Sequence, residues 1–521
     1  MAKKKKQEQR YFMQSFVPES SGKRYVSERT GFYGLDRRER ADSGYMSQCC
    51  NIDVSRLPEV MSADGAEFYC KIESSYGEIC GFHSFQDKLF VVCEDEDEEK
   101  IKLLKLELST FGRAAVTEEV EWKQDDKQVK NGERREMAVF CYYPGSDNLL
   151  YCQVKPIYYL LVYPDRMCVP IDEFYKEDSD GNNASQCKLI ADESPVFEHI
   201  TVWNSRLFGV RDNVVACSCA GTFFDWTCDT AQSTDASGLA VGGYDETHAW
   251  YSTTQANIQA SGSIAAIVAY DGHPIIFKDD YMHQINNNKN PFRIQDIVAV
   301  GCVGARSICE LDGVLYFAFR DGIYRYGGGY PERISEALNW YSFDKDTVCG
   351  AYDGVLYVYN PLLSESLIYT FCPKNGLWAC VDNPHGNNSI IAFTANDTGL
   401  YSIGDDYEIY AYPARGDSTG SEAEWSFTTD LSIFETAGDK RIHSLKIFAE
   451  GQDLRVDVIH HSTSQKIATV INEDDIYGKD NVCVLLRRFD NIWHKLRFSG
   501  SGQIRIRHLE VVYSLSGDRY I

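Results

Sequence analysis

Apolar and polar positions alternate along most of the chain, instead of recurring every three or four residues as they do on an amphipathic helix. In "ELDGVLYFAFRDGIYRYGG", residues 310–328, an Asp-Gly pair precedes an alternating run, and a second Asp-Gly pair precedes another short apolar run. Asp-Gly between alternating runs is a strong signal of a tight antiparallel hairpin. The pattern therefore predicts short β-strands joined by tight turns.

The hairpin phrase returns at a fixed interval. Asp271-Gly272, Asp312-Gly313 and Asp353-Gly354 each precede an apolar run, and the positions 271, 312 and 353 are 41 residues apart. A repeat of this length, built from several short strands, is typical of a β-propeller. A β-sandwich with coincidental spacing is the alternative, but two equal intervals that carry matching residues favour the propeller. A pair formed by an aliphatic and an aromatic residue marks seven positions and predicts six or seven blades: Leu89-Phe90, Leu150-Tyr151, Leu207-Phe208, Ile276-Phe277, Leu315-Tyr316, Leu356-Tyr357 and Leu400-Tyr401.

Changes in sequence texture predict the domain organisation of this all-β chain. Residues 1–30 are polar and are predicted to form an extended N-terminal arm, and residues 31–415 a β-propeller with insertions at its rim. The polar stretch "ARGDSTGSEAE" reads as a linker, after which alternating runs predict a β-sandwich over residues 424–521. Residues 45–60 are expected to supply a strand that closes the ring, because closure removes exposed sheet edges.

Composition narrows the class of function. The net charge is −25, from 52 Lys and Arg against 77 Asp and Glu, which argues against a protein that grips nucleic acid. The dense basic run "KKKK" at 3–6 reads as a solvated tail, with a short arm that touches an acidic partner or nucleic acid as the alternative. The start of the chain lacks the apolar stretch of an export signal, and no apolar run is long enough to span a membrane. We therefore expect the 18 cysteines to be reduced thiols without disulfides, and thiol titration of the denatured, unreduced protein should find nearly all of them free.

A search for catalytic chemistry predicts no catalytic, cofactor-binding or metal-binding residues. "KEDSDGNNASQC" is spaced like a calcium loop, but Lys176 and Cys187 stand at the first and last ligand positions. His460 and His461 are adjacent in a strand and point to opposite faces, so they are not expected to share a metal ion. Cys217 and Cys219 are candidate nucleophiles without a local activating base, and a packed strand cysteine is the preferred interpretation. "GGGY" at 327–330 follows a strand and reads as a turn instead of a phosphate-binding loop.

Three stretches resemble bacteriophage tail proteins. "GFYGLDRRERADSGYMSQCCNIDVSRLPEVMSADG", residues 31–65, resembles the opening of phage tail propeller proteins of the stabilisation and tail nozzle type. "RLFGVRDNVVACSCAGTFFDW", residues 206–226, is similar to a second hallmark of that family, and residues 266–285 to the blade that follows. This sequence departs from the family where Cys49-Cys50 and "SRLPEV" replace a basic phrase that ends in Pro-Gly.

The resemblance implies a non-enzymatic virion structural protein, assembled in the host cytoplasm into a homo-oligomeric ring of the tail. Such a ring would surround the DNA exit path and link upstream tail or portal-side proteins to distal tail parts. DNA would pass without being specifically bound, and no membrane insertion is expected. Two other classes remain open: a carbohydrate-binding phage adsorption protein with a lectin-like sandwich, and a propeller enzyme that cleaves glycans.

Overall fold

The structure is a computed structural model that describes residues 15–16, 24–29, 32–38, 45–95, 100–108, 114–123, 134–144, 155–177, 183–227, 233–234, 240–241, 246–252, 262–339, 342–413, 424–430, 440–460, 467–473, 482–491 and 494–515. The regular structure in these residues is almost entirely antiparallel β-strand. The helical elements among them are three-residue 3₁₀ turns at Ser74–Tyr76, Ala305–Ser307 and Glu336–Leu338. Within the described part of the chain, no helix is long and apolar enough to cross a membrane.

Seven four-stranded sheets follow one another through the described residues, and in sheets 1 to 6 the strands pair in chain order. Their strands are, for sheet 1, Glu78–Phe85, Lys88–Asp95, Lys100–Leu108 and Ala114–Lys123; for sheet 2, Glu136–Tyr142, Ile157–Tyr163, Met167–Pro170 and Lys188–Leu189; for sheet 3, His199–Trp203, Arg206–Arg211, Val214–Cys217 and Trp250–Tyr251; for sheet 4, Ile264–Tyr270, His273–Lys278, Met282–Asn286 and Arg293–Val298; for sheet 5, Ile308–Leu311, Val314–Phe319, Gly322–Tyr326 and Glu332–Arg333; for sheet 6, Val348–Tyr352, Val355–Tyr359, Leu367–Cys372 and Leu377–Asp382; and for sheet 7, Ile390–Asn396, Gly399–Gly404, Glu408–Tyr412 and Glu67–Lys71. Two short hairpins, Tyr175–Glu177 with Asn183–Ser185 and Ser233–Thr234 with Ala240–Val241, lie along the chain between the third and fourth strands of sheets 2 and 3.

The 41-residue repeat has a direct structural counterpart. Asp271, Asp312 and Asp353 each occupy the turn between the first and second strands of sheets 4, 5 and 6. Their φ angles are 44°, 52° and 45°, and the glycines that follow have φ of 75°, 73° and 74°. Two successive positive φ values define the type I′ turn that Asp-Gly favours. The prediction that these three residues occupy equivalent turns is confirmed.

Each neighbouring pair of sheets shares a buried apolar cluster. One cluster joins sheets 1 and 2 around Phe90 and Leu160, and another joins sheets 2 and 3 around Phe140 and Leu207. The series continues through sheets 3 to 7, and a further cluster joins sheet 7 back to sheet 1. Alternate residues along each strand therefore pack against one neighbouring sheet, and the residues between them pack against the other. This arrangement gives the molecule its β-propeller character.

The strand that completes sheet 7 comes from the N-terminal side of the chain. Glu67–Lys71 pairs with Glu408–Tyr412, with Cys70 opposite Ile409. The prediction that residues 45–60 close the ring is therefore wrong. Two of the strands in that stretch, Met46–Cys50 and Val60–Met61, pair elsewhere, because the C-terminal sheets offer them open edges.

Two further sheets contain the C-terminal strands and the N-terminal ones. In order across sheet 8, the strands are Ser15–Phe16, Arg24–Arg29, Ile504–Leu515, Lys440–Gly451 and Val482–Asn491. The short strand Val60–Met61 also pairs with Ile504–Leu515. In order across sheet 9, the strands are Met46–Cys50, Glu424–Asp430, His494–Ser501, Leu454–His460 and Ile467–Glu473. Alternate residues of both sheets lie in one buried cluster. The structure thus differs from the sequence-based division: residues 24–29 pair into sheet 8 instead of forming an extended arm, and residues 46–61 belong with the C-terminal sheets instead of the propeller.

Candidate functional site

Residues 32–62 run between the propeller sheets and the two C-terminal sheets, and we call this segment the strap (39–44 lie outside the described residues). On one side, the Leu35 amide donates to the Trp378 carbonyl of sheet 6 at 2.7 Å, and the Asn375 amide group donates to the Val54 carbonyl at 2.8 Å. On the other side, Met46–Cys50 is an edge strand of sheet 9. The strap is therefore bonded through its backbone to both parts of the molecule.

Aromatic packing continues through the strap. The Phe32 ring lies edge-on to Phe427 and Phe498, with ring centroids 5.1 and 6.2 Å away. Phe427 and Phe498 stack on each other at 4.6 Å. All three belong to the buried cluster that also contains Phe371 and Trp378 of sheet 6. A core shared in this way couples the C-terminal sheets to the propeller by burial of apolar area, the main favourable contribution to folding.

Asn51 joins both parts with one side chain. Its Nδ2 donates to Asp382 Oδ2 of sheet 6 at 2.7 Å and to the Glu424 carbonyl of sheet 9 at 2.7 Å, while its Oδ1 accepts from the Asp382 amide at 2.9 Å. Its φ of 54° is a left-handed conformation that Asn tolerates better than most residues. Nearby, the Cys49 and Cys380 sulfur atoms are 3.5 Å apart, and both side chains are buried.

A cavity of about 390 Å³ opens beside the strap, and we call it the strap cavity. Strap residues, the first turn and strands of sheet 6, and the end of sheet 7 form its walls. Its polar and aromatic lining comprises Asn51, Asp53, Ser55, Arg56, Asp64, Tyr352, Asp353, Tyr357, Thr370, Asp382 and Tyr412. Burial raises the pKa of Tyr357, and the negative charges of Asp53, Asp353 and Asp64 act in the same direction, so the phenol is neutral.

A second cavity, of about 400 Å³, lies where five propeller sheets converge. Arg134, at the start of sheet 2, and Arg306, at the start of sheet 5, both contact Asp346 Oδ1, at 3.2 and 3.1 Å. Burial and the neighbouring Arg134 together lower the pKa of Arg306 to about 10, although Asp346 acts in the opposite direction. Asp346 therefore holds together two cations from different sheets, and its carboxylate is already occupied.

Sheet 7 contains a Ser–His–Asp arrangement that has the connectivity of a catalytic triad. His385 Nε2 lies 2.9 Å from Ser402 Oγ, and His385 Nδ1 lies 3.0 Å from Asp406 Oδ1. Ser402 is 0% exposed, and its hydroxyl also lies 3.4 Å from the Tyr412 hydroxyl. A nucleophile must reach its substrate, so this chain of hydrogen bonds fixes the connection into sheet 7 and does not form an accessible active site.

Among the described residues, the candidates named from the sequence are not gathered into one site. Burial raises the pKa of Cys217 to about 12 and that of Cys219 to about 11, so both are packed thiols. His460 ends a strand of sheet 9, whereas His461 and the "KKKK" run lie outside the described residues. Lys176 lies in a hairpin strand and Cys187 just beyond its partner strand, and residues 178–182 between them lie outside the described residues. "GGGY" at 327–330 is the turn between the last two strands of sheet 5.

The described residues contain no group of three or more His, Cys, Asp or Glu side chains placed to hold a metal ion. Fifteen of the cysteines lie in this part of the chain as free thiols.

The comparisons with known proteins give distant structural likenesses. No family model and no curated protein sequence matches the chain. The chain is similar to virginiamycin B lyase from Staphylococcus aureus, solved as an inactive variant with quinupristin, at 10% identity and a TM-score of 0.38, covering 67% of this chain and 98% of that one. It is also similar to BamB from Moraxella catarrhalis, at 11% identity and a TM-score of 0.32, covering 67% and 97%. A third likeness, to an exo-β-1,3-galactanase from Phanerochaete chrysosporium, has 9% identity and a TM-score of 0.22, covering 60% and 95%. These values are too low to bear on activity or partners.

Proposed function

We propose that this chain is a non-enzymatic structural subunit of a bacteriophage tail. In this proposal sheets 1 to 7 are the blades of a closed seven-bladed propeller, and sheets 8 and 9 form a β-sandwich. Copies of the chain assemble in the host cytoplasm into a ring around the DNA exit path. The ring links upstream tail or portal-side proteins to distal tail parts.

The strap is the observation that carries this proposal. A protein that bridges two neighbours in a particle has to hold two contact surfaces in a fixed relation. Asn51 hydrogen bonds to both parts, and the core around Phe32 continues from sheet 6 into sheet 9. A tether between two independent binding modules would need neither feature, because flexible linkers join domains with few contacts across the boundary.

Sheet edges offer a route to ring assembly. Ile467–Glu473 is the outer strand of sheet 9 and Val482–Asn491 an outer strand of sheet 8, each paired on one side only among the described residues. Outer strands present unpaired backbone amides and carbonyls that another chain can bond. In the proposed ring, a neighbouring copy or tail protein adds to these edges.

Two arrangements favour a structural over an enzymatic function. The second cavity contains Asp346 already bonded to Arg134 and Arg306. The Ser402 hydroxyl is buried inside sheet 7. The Asp346 carboxylate is thus paired with two cations and the Ser402 hydroxyl is inaccessible, so neither is a free catalytic group for hydrolysis.

Imaging of purified phage particles tests the proposal. The particles should come from a lysate in which peptides of this chain are detected, and the density of the propeller should be fitted to the tail. We expect several copies in a ring coaxial with the tail, with the sandwich and the propeller touching different neighbours. Copies found only as separate spikes on the particle exterior, or a chain absent from particles, would contradict it.

A further inference from the structure

Two cysteine thiols face each other where the strap meets sheet 6. Cys49 lies in the strap strand Met46–Cys50, Cys380 lies in the last strand of sheet 6, and their Sγ atoms are 3.5 Å apart. The sulfur atoms of a disulfide are about 2.05 Å apart, so these two have to approach by about 1.5 Å to form one. Among the cysteines that the structure describes, they are the pair whose sulfur atoms are in contact.

Hydrogen bonds on both sides hold the two strands next to each other. The Cys380 thiol donates to the Cys49 carbonyl at 2.6 Å, and the Ile52 amide donates to the Cys380 carbonyl at 3.4 Å. The Asn51 side chain accepts from the Asp382 amide at 2.9 Å. The two cysteines are therefore neighbours on a bonded backbone, which is the condition for a disulfide to form without a rearrangement of the strands.

A bond between these sulfur atoms would join distant parts of the chain. The two cysteines are 331 residues apart, and sheets 1 to 5 lie between them in the sequence. A crosslink that closes so long a loop restricts the unfolded chain strongly and stabilises the folded one. Because Met46–Cys50 pairs with sheet 9, the same bond would fix the C-terminal sheets to the propeller.

Burial protects the thiols while the strap is docked. The Cys380 thiol is 0% exposed, and its hydrogen bond to Cys49 together with burial raises its pKa. Cys50 donates to Asp382 Oδ1 at 2.8 Å, and burial together with this bond raises the pKa of Cys50 as well. The thiolate is the reactive form of cysteine, so exchange with an external disulfide requires the strap to lift from sheet 6.

We propose that Cys49 and Cys380 are a reversible disulfide site that locks the strap onto sheet 6 in oxidising surroundings. In a reducing cytoplasm the two thiols stay free, and the strap is held by hydrogen bonds and packing alone. The docked strap and the disulfide stabilise each other, because docking brings the two sulfur atoms together. The proposal does not depend on the place of the chain in a virion.

The oxidant is a small-molecule disulfide such as oxidised glutathione. While the strap is lifted, the Cys49 thiolate attacks one glutathione sulfur, a mixed disulfide forms, and the other glutathione leaves as a thiolate. As the strap docks, the Cys380 thiolate attacks the Cys49 sulfur, the protein disulfide forms, and the second glutathione leaves. The two protein thiols lose two electrons and two protons, which convert one oxidised glutathione into two reduced ones.

Equilibration of the full-length chain in glutathione buffers tests this site. Samples with an increasing oxidised fraction would be quenched with acid and alkylated, and the linked peptides identified by mass spectrometry. We expect one disulfide, between Cys49 and Cys380 of the same chain. The oxidised protein should melt roughly 5 °C above the reduced protein, and dithiothreitol should reverse the shift.

Cys187→Ser is the matched control for Cys49→Ser. Cys187 is half-buried and packs against the cluster between sheets 1 and 2, so its loss should leave the link and the melting shift in place. Cys49→Ser should lose both, and the unaltered protein with and without dithiothreitol decides the question if this variant does not fold. The proposal is overturned if glutathione links other cysteines instead, if no link forms, or if the oxidised and reduced proteins melt at the same temperature.

Discussion

Gly209 explains part of the Arg-Leu-Phe-Gly phrase in sheet 3. A Cβ at this position would lie 2.2 Å from the ring of Phe197, which is itself buried. We predict that Gly209→Ala lowers the free energy of unfolding by about 1–3 kcal/mol, the usual cost of adding a methyl group to a filled core. Urea denaturation measures the change.

Gly329→Ala is the control for this substitution. Gly329 lies in the turn of sheet 5, and nothing stands within 4 Å of a Cβ built there. Its free energy of unfolding should match that of the unaltered protein. If Gly209→Ala left the free energy of unfolding equally unchanged, the result would contradict the close packing of Phe197 on Gly209.

His385 gives the protein a pH dependence of known sign. Burial lowers its pKa, although Asp406 acts in the opposite direction. Between that lowered pKa and the unfolded value of about 6.5, the unfolded chain binds more protons than the folded one, so stability falls as the pH drops below about 6.5. We predict that His385→Gln lowers stability at pH 7 by about 1–3 kcal/mol and flattens the loss of stability between pH 6.5 and 5.

The matched measurement uses His508→Gln. His508 lies on sheet 8, 3.7 Å from Glu510, and takes no part in the sheet 7 arrangement. Denaturation across the same pH range should retain the slope in this variant. A slope unchanged by His385→Gln would mean that the buried imidazole does not remain neutral in the folded protein.

At the residue scale, the sequence predicts those conformations that depend only on residues adjacent in the chain. Asp-Gly predicts its turn because both residues have to adopt positive φ, which is a local property. Ser402 and Asp406 follow His385 by 17 and 21 residues, and the three side chains meet only after sheet 7 has formed.

The strands illustrate the same limit at the scale of elements. Alternation and turn residues predicted the propeller strands, and six of the seven aliphatic–aromatic pairs lie on second strands of the sheets. The seventh pair, Leu150-Tyr151, lies outside the described residues. The sequence does not show which strand pairs with sheet 7, because Met46–Cys50 and Glu67–Lys71 are equally short strands that precede sheet 1. Which one completes sheet 7 depends on an edge formed much later in the chain, by Glu408–Tyr412.

Docking of the strap brings two thiols together. Cys49 Sγ and Cys380 Sγ are 3.5 Å apart across the boundary between the strap and sheet 6. We predict that mild oxidation of the native protein with copper–phenanthroline joins these two residues, and that mass spectrometry of the digested protein finds the linked peptides. Cys49→Ser should remove this link and leave the fold intact. Links among other cysteines without a Cys49–Cys380 link would contradict the docked position.

At the scale of the whole molecule, charge sets the behaviour towards DNA. The chain carries a net charge of −25. Phosphate binding requires clustered Lys and Arg and is strongest at low salt. We predict no shift of duplex DNA in a gel at low ionic strength, even at micromolar protein. A shift that disappears as salt is added would indicate a basic surface and contradict the proposed wall of a DNA path.

The central claim is that the strap makes the propeller and the C-terminal sheets one cooperative unit. Native-state hydrogen exchange at increasing denaturant resolves which segments open together. We expect amides in Leu377–Asp382 of sheet 6 and in Glu424–Asp430 of sheet 9 to merge into a single opening reaction of equal free energy. If sheet 9 opened at a clearly lower free energy while sheet 6 stayed protected, the strap would be a tether and the claim would fail.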